Sequence, residues 1–134
     1  MPTTLAPAQQ EQMLSAARAA FKNAHAPYSN FRVGSTILTQ RGTLYSGCNV
    51  ENASYGLTIC AERNAIFAAV AAEGSGMRII AVAVATERDG PCAPCGACRQ
   101  VIFEFGPEAM ILFRGQSGIE QMAITRLLPE GFRL

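Results

Sequence analysis

Hydrophobic residues recur at three- and four-residue intervals in three segments, a spacing typical of helices with one buried face. The first predicted helix runs from Ala8 to Ala24, and Pro27 ends it because proline disfavours a helical residue before it. The second runs from Cys60 to Glu73 and stops at Gly74. The third runs from Cys95 to Phe105 and turns an apolar face toward the rest of the chain.

Apolar runs between these helices predict strands. Val33 to Thr39 and Thr43 to Asn49 flank a short glycine-containing link, which predicts an antiparallel hairpin. Arg78 to Thr86 is predicted as a strand whose continuous apolar run indicates burial on both faces between helices. The pattern therefore predicts an α/β fold, a three-layer α/β/α sandwich around a mixed sheet of about five strands, in one domain covering residues 1–134. The remaining predicted elements are strands at Met110–Phe113 and Ile119–Ala123 and a helical turn at Ile124–Leu128.

Composition narrows the function classes. With 134 residues, 49% hydrophobic and 16% charged, the chain can build one core without disulfides. The formal net charge is +1 and the charges are scattered, which argues against nucleic acid as a partner and favours a small molecule. The first ten residues lack the features of a signal peptide, and the longest apolar run, Ile79 to Ala85, is too short to span a bilayer. We therefore expect a soluble cytoplasmic protein without a membrane partner.

The five cysteines suggest a metal site. Cys95 and Cys98 are three residues apart, so that on the first turn of a helix both sulfurs face one way. Cys60 begins another predicted helix, and helix N-termini favour thiolates. Three converging thiols with an open fourth position are typical of catalytic zinc. Glu62, two residues after Cys60, is better placed to reach a metal-bound water than the metal, and we predict that it is the general acid/base.

Cys92 leaves an alternative open. The spacing Cys92-x-x-Cys95-x-x-Cys98 also suits an iron–sulfur cluster or a four-thiolate structural zinc, as in a non-enzymatic binding module. Either site would leave Glu62 without a role, together with the polar loop from Asn49 to Tyr55. We therefore favour a free thiol near the site for Cys92.

The segment Cys60-Ala61-Glu62-Arg63, together with Pro94-Cys95-Gly96-Ala97-Cys98, resembles the motif of zinc-dependent nucleoside deaminases. The chain most resembles the small homotetrameric cytidine deaminases, also in Pro27–Gly34, Asn49–Gly56 and Leu127–Phe132. This resemblance implies hydrolytic deamination of cytidine and 2′-deoxycytidine to uridine and 2′-deoxyuridine in pyrimidine salvage. It also implies a homotetramer with one Zn²⁺ per subunit, bound by Cys60, Cys95 and Cys98.

The chemistry of such a site assigns roles to charged residues. A water activated by zinc would attack C4 of the pyrimidine, and Glu62 would shuttle the two protons of that water, one to N3 and one to the departing amine. Three thiolates give the zinc centre a net charge of about −1, so a nearby cation would help. Arg63, as in the resembling family, is expected to donate to a ligand sulfur, and Arg99 is a candidate second donor.

The resemblance also implies the substrate contacts. Asn49 and Glu51 would bind the ribose hydroxyls, and Ala61 would lie among the substrate contacts. Phe31 would pack on the pyrimidine. The other two aromatic positions involve neighbouring chains: Tyr55 would lie at the subunit junction, and Phe132 would reach the base from another subunit.

Two other deaminase activities share these motifs or this chemistry. A deaminase for a cytosine-containing antibiotic of the blasticidin S type carries the same zinc motifs. The stretch Asn49-Val50-Glu51-Asn52 favours a nucleoside over that antibiotic, because a carboxylate and an amide suit vicinal hydroxyls. Editing of a polynucleotide is disfavoured by the nearly neutral charge and by a pocket that neighbouring chains would partly close.

Overall fold

A computed structural model describes residues 4–134 as one five-stranded sheet with helices on both faces. The predicted α/β/α sandwich around a mixed sheet is confirmed. No helix within residues 4–134 has the length and apolarity needed to cross a membrane. The elements are α1 (Pro7–Phe21), β1 (Val33–Thr39), β2 (Leu44–Cys48), a 3₁₀ turn (Tyr55–Leu57), α2 (Ala61–Glu73), β3 (Ile79–Thr86), α3 (Gly96–Phe105), β4 (Met110–Gly115), β5 (Gly118–Ala123) and α4 (Ile124–Leu127).

The strand order β2-β1-β3-β4-β5 combines local hairpins with one crossover. β1 pairs antiparallel with both β2 and β3, and β4 pairs antiparallel with β5. Only β3 and β4 run parallel among these pairs, and a parallel pair needs a long connection across one face of the sheet. α3 lies in that connection, so the crossover places its N-terminus beside the end of β3.

The sheet is buried on both faces. α1 covers one face, where Met13 and Leu14 pack with Ala81 and Ala83 of β3. The other face holds the larger core, under α2 and α3. β3 contributes to both clusters, so the predicted two-sided burial of this strand is confirmed. The central members of the larger core are Ile37, Ile66, Val82, Ile102, Ile111 and Ile124.

Gly47 lets α2 pack directly against β2. A Cβ at this position would lie 2.7 Å from the Ala61 carbonyl oxygen and closer still to the Ala65 backbone nitrogen. Asn64 strengthens the same contact, because its side-chain amide donates to the Cys48 carbonyl at 2.8 Å. The backbone of the first turn of α2 is therefore in direct contact with the backbone of the hairpin.

Several element boundaries differ from the sequence prediction by one to three residues. α1 ends at Phe21 instead of Ala24, because the chain leaves the helix through a turn and His25 then forms a bridge with Val50. α2 and α3 each begin one residue later than predicted. Their cysteines, Cys60 and Cys95, are N-caps with extended backbone geometry.

Candidate active site

Two helix N-termini bring three thiols together. Cys60 caps α2, Cys95 caps α3 and Cys98 lies in the first turn of α3. Their sulfur atoms all lie within 4.8 Å of one another, and the Sγ atoms of Cys60 and Cys95 are 3.9 Å apart. Two zinc ligands at 2.3 Å in a tetrahedral arrangement would be about 3.8 Å apart. The geometry of these thiols therefore fits a zinc ion, in agreement with the predicted ligand set.

Cys60 is already poised to lose its proton. Hydrogen bonding from Cys98, with further donation from Arg63 and Cys95, lowers the pKa of Cys60 to about 5. Cys98 donates this hydrogen bond and holds its proton more firmly, so the pKa of Cys98 is raised. Metal ligation requires the thiolate form, which Cys60 already holds at neutral pH.

Arg63 takes the position predicted for it. One of its terminal nitrogens donates to the Cys60 Sγ at 3.4 Å, and this hydrogen bond raises the pKa of the guanidinium. Its Nε is buried and has no hydrogen-bond partner among the described residues. A guanidinium that donates to one of the thiols suits a centre that carries excess negative charge.

Glu62 is buried beside the thiols. The residue is only 4% exposed, and burial raises the pKa of its carboxyl group to about 7, with a further contribution from the charge on Cys60. A carboxyl group with a pKa near the working pH can both accept and release a proton. These properties are those expected of a proton shuttle.

A cavity of about 320 Å³ opens beside Glu62, a size typical of small-molecule sites. The residues that line it include seven that were predicted from the sequence: Phe31, Asn49, Glu51, Cys60, Ala61, Glu62 and Cys95. Sequence reasoning missed Ser29 and Thr58, which also line it. Ser29 lies with Phe31 in the segment Pro27–Gly34, which resembles the cytidine deaminases. That resemblance was the signal that could have identified Ser29.

Asn49 and Glu51 hold the backbone that forms one wall of this cavity. The Asn49 amide donates to the Phe31 carbonyl and accepts from the Val33 amide, both at 2.8 Å. Glu51 accepts the backbone N–H groups of Tyr28 and Ser29 and the Ser29 hydroxyl. The hydroxyl bond contributes most to lowering the pKa of Glu51, so this carboxylate is charged at neutral pH.

Tyr55 and Phe132 lie outside the cavity. Tyr55 is 75% exposed and its ring lies 5.7 Å from that of Tyr28, on a neighbouring open depression. Phe132 is 67% exposed near the end of the chain. Within one chain, neither ring contributes to the pocket that Glu62 lines.

Two further residues have roles other than metal binding. Arg99 donates to the Pro94 and Leu127 carbonyls, at 2.7 and 2.8 Å, and thus ties the ligand segment to α4. Its predicted alternative, donation to a ligand sulfur, is therefore wrong.

Cys92 lines the cavity but is not part of the three-thiol group, and burial raises its pKa to about 11. That arrangement contradicts a four-thiolate centre.

Known proteins share both the sequence and the fold. The family model of the cytidine and deoxycytidylate deaminase zinc-binding region matches residues 7–114. The cytidine deaminase of Sporosarcina psychrophila is 43% identical over 91% of this chain and 90% of its own length. A crystal structure of cytidine deaminase from Burkholderia pseudomallei superposes with a TM-score of 0.83, at 46% identity, covering 91% of this chain and 98% of the other.

The corresponding structure from Mycobacterium tuberculosis has a TM-score of 0.82 and 37% identity, and the match covers 92% of this chain and 97% of that one. These likenesses extend through the segments that hold the thiols, the buried carboxyl group and the cavity. By sequence and by fold, the chain belongs to the cytidine and deoxycytidylate deaminase zinc-binding family.

Proposed function

We propose that this chain is a zinc-dependent hydrolase that converts cytidine and 2′-deoxycytidine to uridine and 2′-deoxyuridine with release of ammonia. The observation that carries the proposal is the buried Glu62 beside three convergent thiols, on a cavity of nucleoside-compatible size. The curated relatives named cytidine deaminase support the substrate class. We propose a single deaminase domain for residues 1–134, which the one continuous sheet supports.

The proposed mechanism assigns the proton movements to Glu62. Zinc held by Cys60, Cys95 and Cys98 would supply an activated water, because the metal lowers the pKa of that water toward neutrality. Glu62 would accept one proton from the attacking water and deliver it to N3, then accept the second proton of that water from the hydroxyl formed at C4 and transfer it to the departing amine. Its pKa of about 7 supports this exchange in both directions.

The rest of the cavity would hold the substrate. We assign the pyrimidine to the ring of Phe31 and to Ala61, and the ribose hydroxyls to Asn49 and Glu51. All four residues line the same cavity as Glu62, which supports the assignment. Because Asn49 and Glu51 also organise residues 28–33, their removal would disturb the pyrimidine contact as well.

We also propose a homotetramer in which Tyr55 lies at the junction and Phe132 completes a neighbouring site. Large apolar side chains exposed in one chain support association: Tyr28, Val50, Tyr55, Leu57, Phe67 and Phe132 are each 45% exposed or more. Light scattering on the purified protein should give the mass of four chains. The five unpaired cysteines support a cytoplasmic location, where thiols stay reduced.

The test is ammonia release by zinc-loaded protein from cytidine, deoxycytidine, blasticidin S and a cytosine oligonucleotide. We expect turnover of the two nucleosides, and a loss of about 10²- to 10⁴-fold in Glu62→Gln with zinc content unchanged. The matched control is Glu73→Gln, since Glu73 is an equally buried carboxylate on α2 that binds Thr39 and Tyr45 instead.

Each other outcome selects a different function. Turnover of blasticidin S alone would make the protein an antibiotic deaminase, and turnover of the oligonucleotide alone would make it an editing enzyme. Stoichiometric zinc with no turnover of any substrate would support a structural zinc module. Full activity in Glu62→Gln would remove this residue from the mechanism.

A further inference from the structure

Phe31 is held at three points, and one of these contacts comes from Arg88, which lies outside the motif segments that resemble the deaminase family. Its backbone N–H donates to the Ser29 hydroxyl at 3.0 Å, and its carbonyl accepts the Asn49 amide at 2.8 Å. These bonds fix the backbone but leave the ring free to rotate about its side-chain torsions. The guanidinium carbon of Arg88 lies 4.8 Å from the centroid of the ring, within cation–π distance.

The same guanidinium also holds the turn that precedes the ring. A terminal nitrogen of Arg88 donates to the carbonyls of Ser29 and Asn30, at 3.2 and 3.1 Å. Asn30 has a φ of 55°, a left-handed conformation that is uncommon outside glycine. A cation on both carbonyls stabilises this turn, so Arg88 contacts three consecutive residues, of which Ser29 and Phe31 line the cavity.

An ion pair fixes the segment from which Arg88 extends. Arg32 donates to both carboxylate oxygens of Glu87, at 3.0 and 2.6 Å. Each segment thus contributes one arginine to the contact: Arg88 binds residues 29–30, and Arg32 binds Glu87. The loop that contains Glu87 leads on to Cys95. The Phe31 ring and a proposed metal ligand are therefore positioned by the same stretch of backbone.

We propose that Arg88 is a positioning residue that presets the Phe31 ring for the pyrimidine. The guanidinium covers one face of the ring and leaves its other face and its edge for the substrate. Arg88 touches neither the thiols nor Glu62, so it acts on binding through Phe31 and not on the chemical step. This inference rests on the proposed function, because it assigns a role in binding the pyrimidine.

The test compares Arg88→Ala, Arg88→Lys and the wild type for KM and kcat with cytidine, and for amide hydrogen exchange across residues 28–33. The control is Arg78→Ala, since Arg78 also donates to two backbone carbonyls, those of Ser75 and Met77, on a different part of the surface. Zinc content is measured in every variant.

We expect Arg88→Ala to raise KM about 10-fold, which corresponds to 1.4 kcal/mol of binding, with kcat changed less than 2-fold. Exchange across residues 28–33 should become faster while zinc content stays the same. Arg88→Lys should have a KM between those of the wild type and Arg88→Ala, because a lysine keeps the cation over the ring but loses the contact with two carbonyls. Arg78→Ala should match the wild type in all three measurements.

Two results would overturn the proposal. The first is an unchanged KM in Arg88→Ala with an active wild type, which removes Arg88 from substrate binding and leaves the deaminase assignment intact. The second is unchanged exchange across residues 28–33, which shows that Arg88 does not hold the turn whether or not the wild type is active. An inactive wild type contradicts the proposed function itself, and exchange then decides the positioning role alone.

Discussion

Replacing Gly47 with alanine would test how the hairpin positions the catalytic helix. The new Cβ would lie 2.7 Å from the Ala61 carbonyl oxygen, whereas ordinary contacts of a Cβ begin near 3.4 Å. The first turn of α2 would have to retreat by at least about 0.7 Å, the difference between these distances. The nearer clash with the Ala65 nitrogen involves backbone too, so no flexible side chain can absorb it.

Two losses follow from that displacement. Overpacking of a rigid contact typically costs about 1–3 kcal/mol, so we expect the free energy of unfolding to fall by that amount. The displaced turn carries Cys60 and Glu62, and a misplacement of about 1 Å can cost 10²-fold in rate. We therefore expect kcat for cytidine to fall by about 10- to 100-fold.

Urea unfolding and steady-state ammonia release would measure both quantities, with zinc content recorded for each sample. Gly76→Ala is the matched control, because a Cβ there meets nothing within 4 Å. If Gly47→Ala kept both the stability and the kcat of the wild type, the close packing of β2 on α2 would not be what holds the site.

The remaining predictions concern the thiol centre. Arg63→Gln should weaken zinc binding about 10- to 100-fold in a chelator competition, because the Cys60 sulfur loses its cationic donor; an unchanged affinity would contradict that role. In zinc-free protein, iodoacetamide should modify Cys60 down to about pH 5, since the reactive thiolate persists to its pKa. Cys92, with a pKa raised to about 11, should react only at alkaline pH, and peptide mapping that found both cysteines equally reactive at pH 6 would refute the assignment.

Local patterns in the sequence were sufficient to predict the elements of the sheet and the three thiols that lie together. The hairpin of β1 and β2 and the buried β3 follow from apolar runs and a glycine link, which are properties of neighbouring residues. The three thiols could be grouped because zinc chemistry restricts the ligand types and because two of them share one helical turn. The predicted cluster of Cys60, Cys95 and Cys98 is the one that the structure brings together.

Contacts between distant segments could not be predicted in the same way. Glu51 binds the backbone at Tyr28, 23 residues away, and Arg88 reaches Asn30 across 58 residues. Nothing in the local pattern around either residue indicates its partner, because exposed charged side chains are common on any surface. The wrong alternative for Arg99 has the same origin: its partner at Leu127 is 28 residues further along the chain.

The position of the thiols has a consequence for how the folded chain is maintained. Cys60 and Cys95 are 35 residues apart in sequence, so one ion bound by both closes a loop of that length, as a disulfide would. For a covalent bridge of this span, the chain-entropy relation gives about 4 kcal/mol. The metal centre thus also serves as a reversible cross-link between the hairpin half of the chain and the half that begins at α3. A chain that loses its zinc ion would lose this cross-link together with its catalytic activity, so the lifetime of the folded enzyme would depend on the supply of zinc.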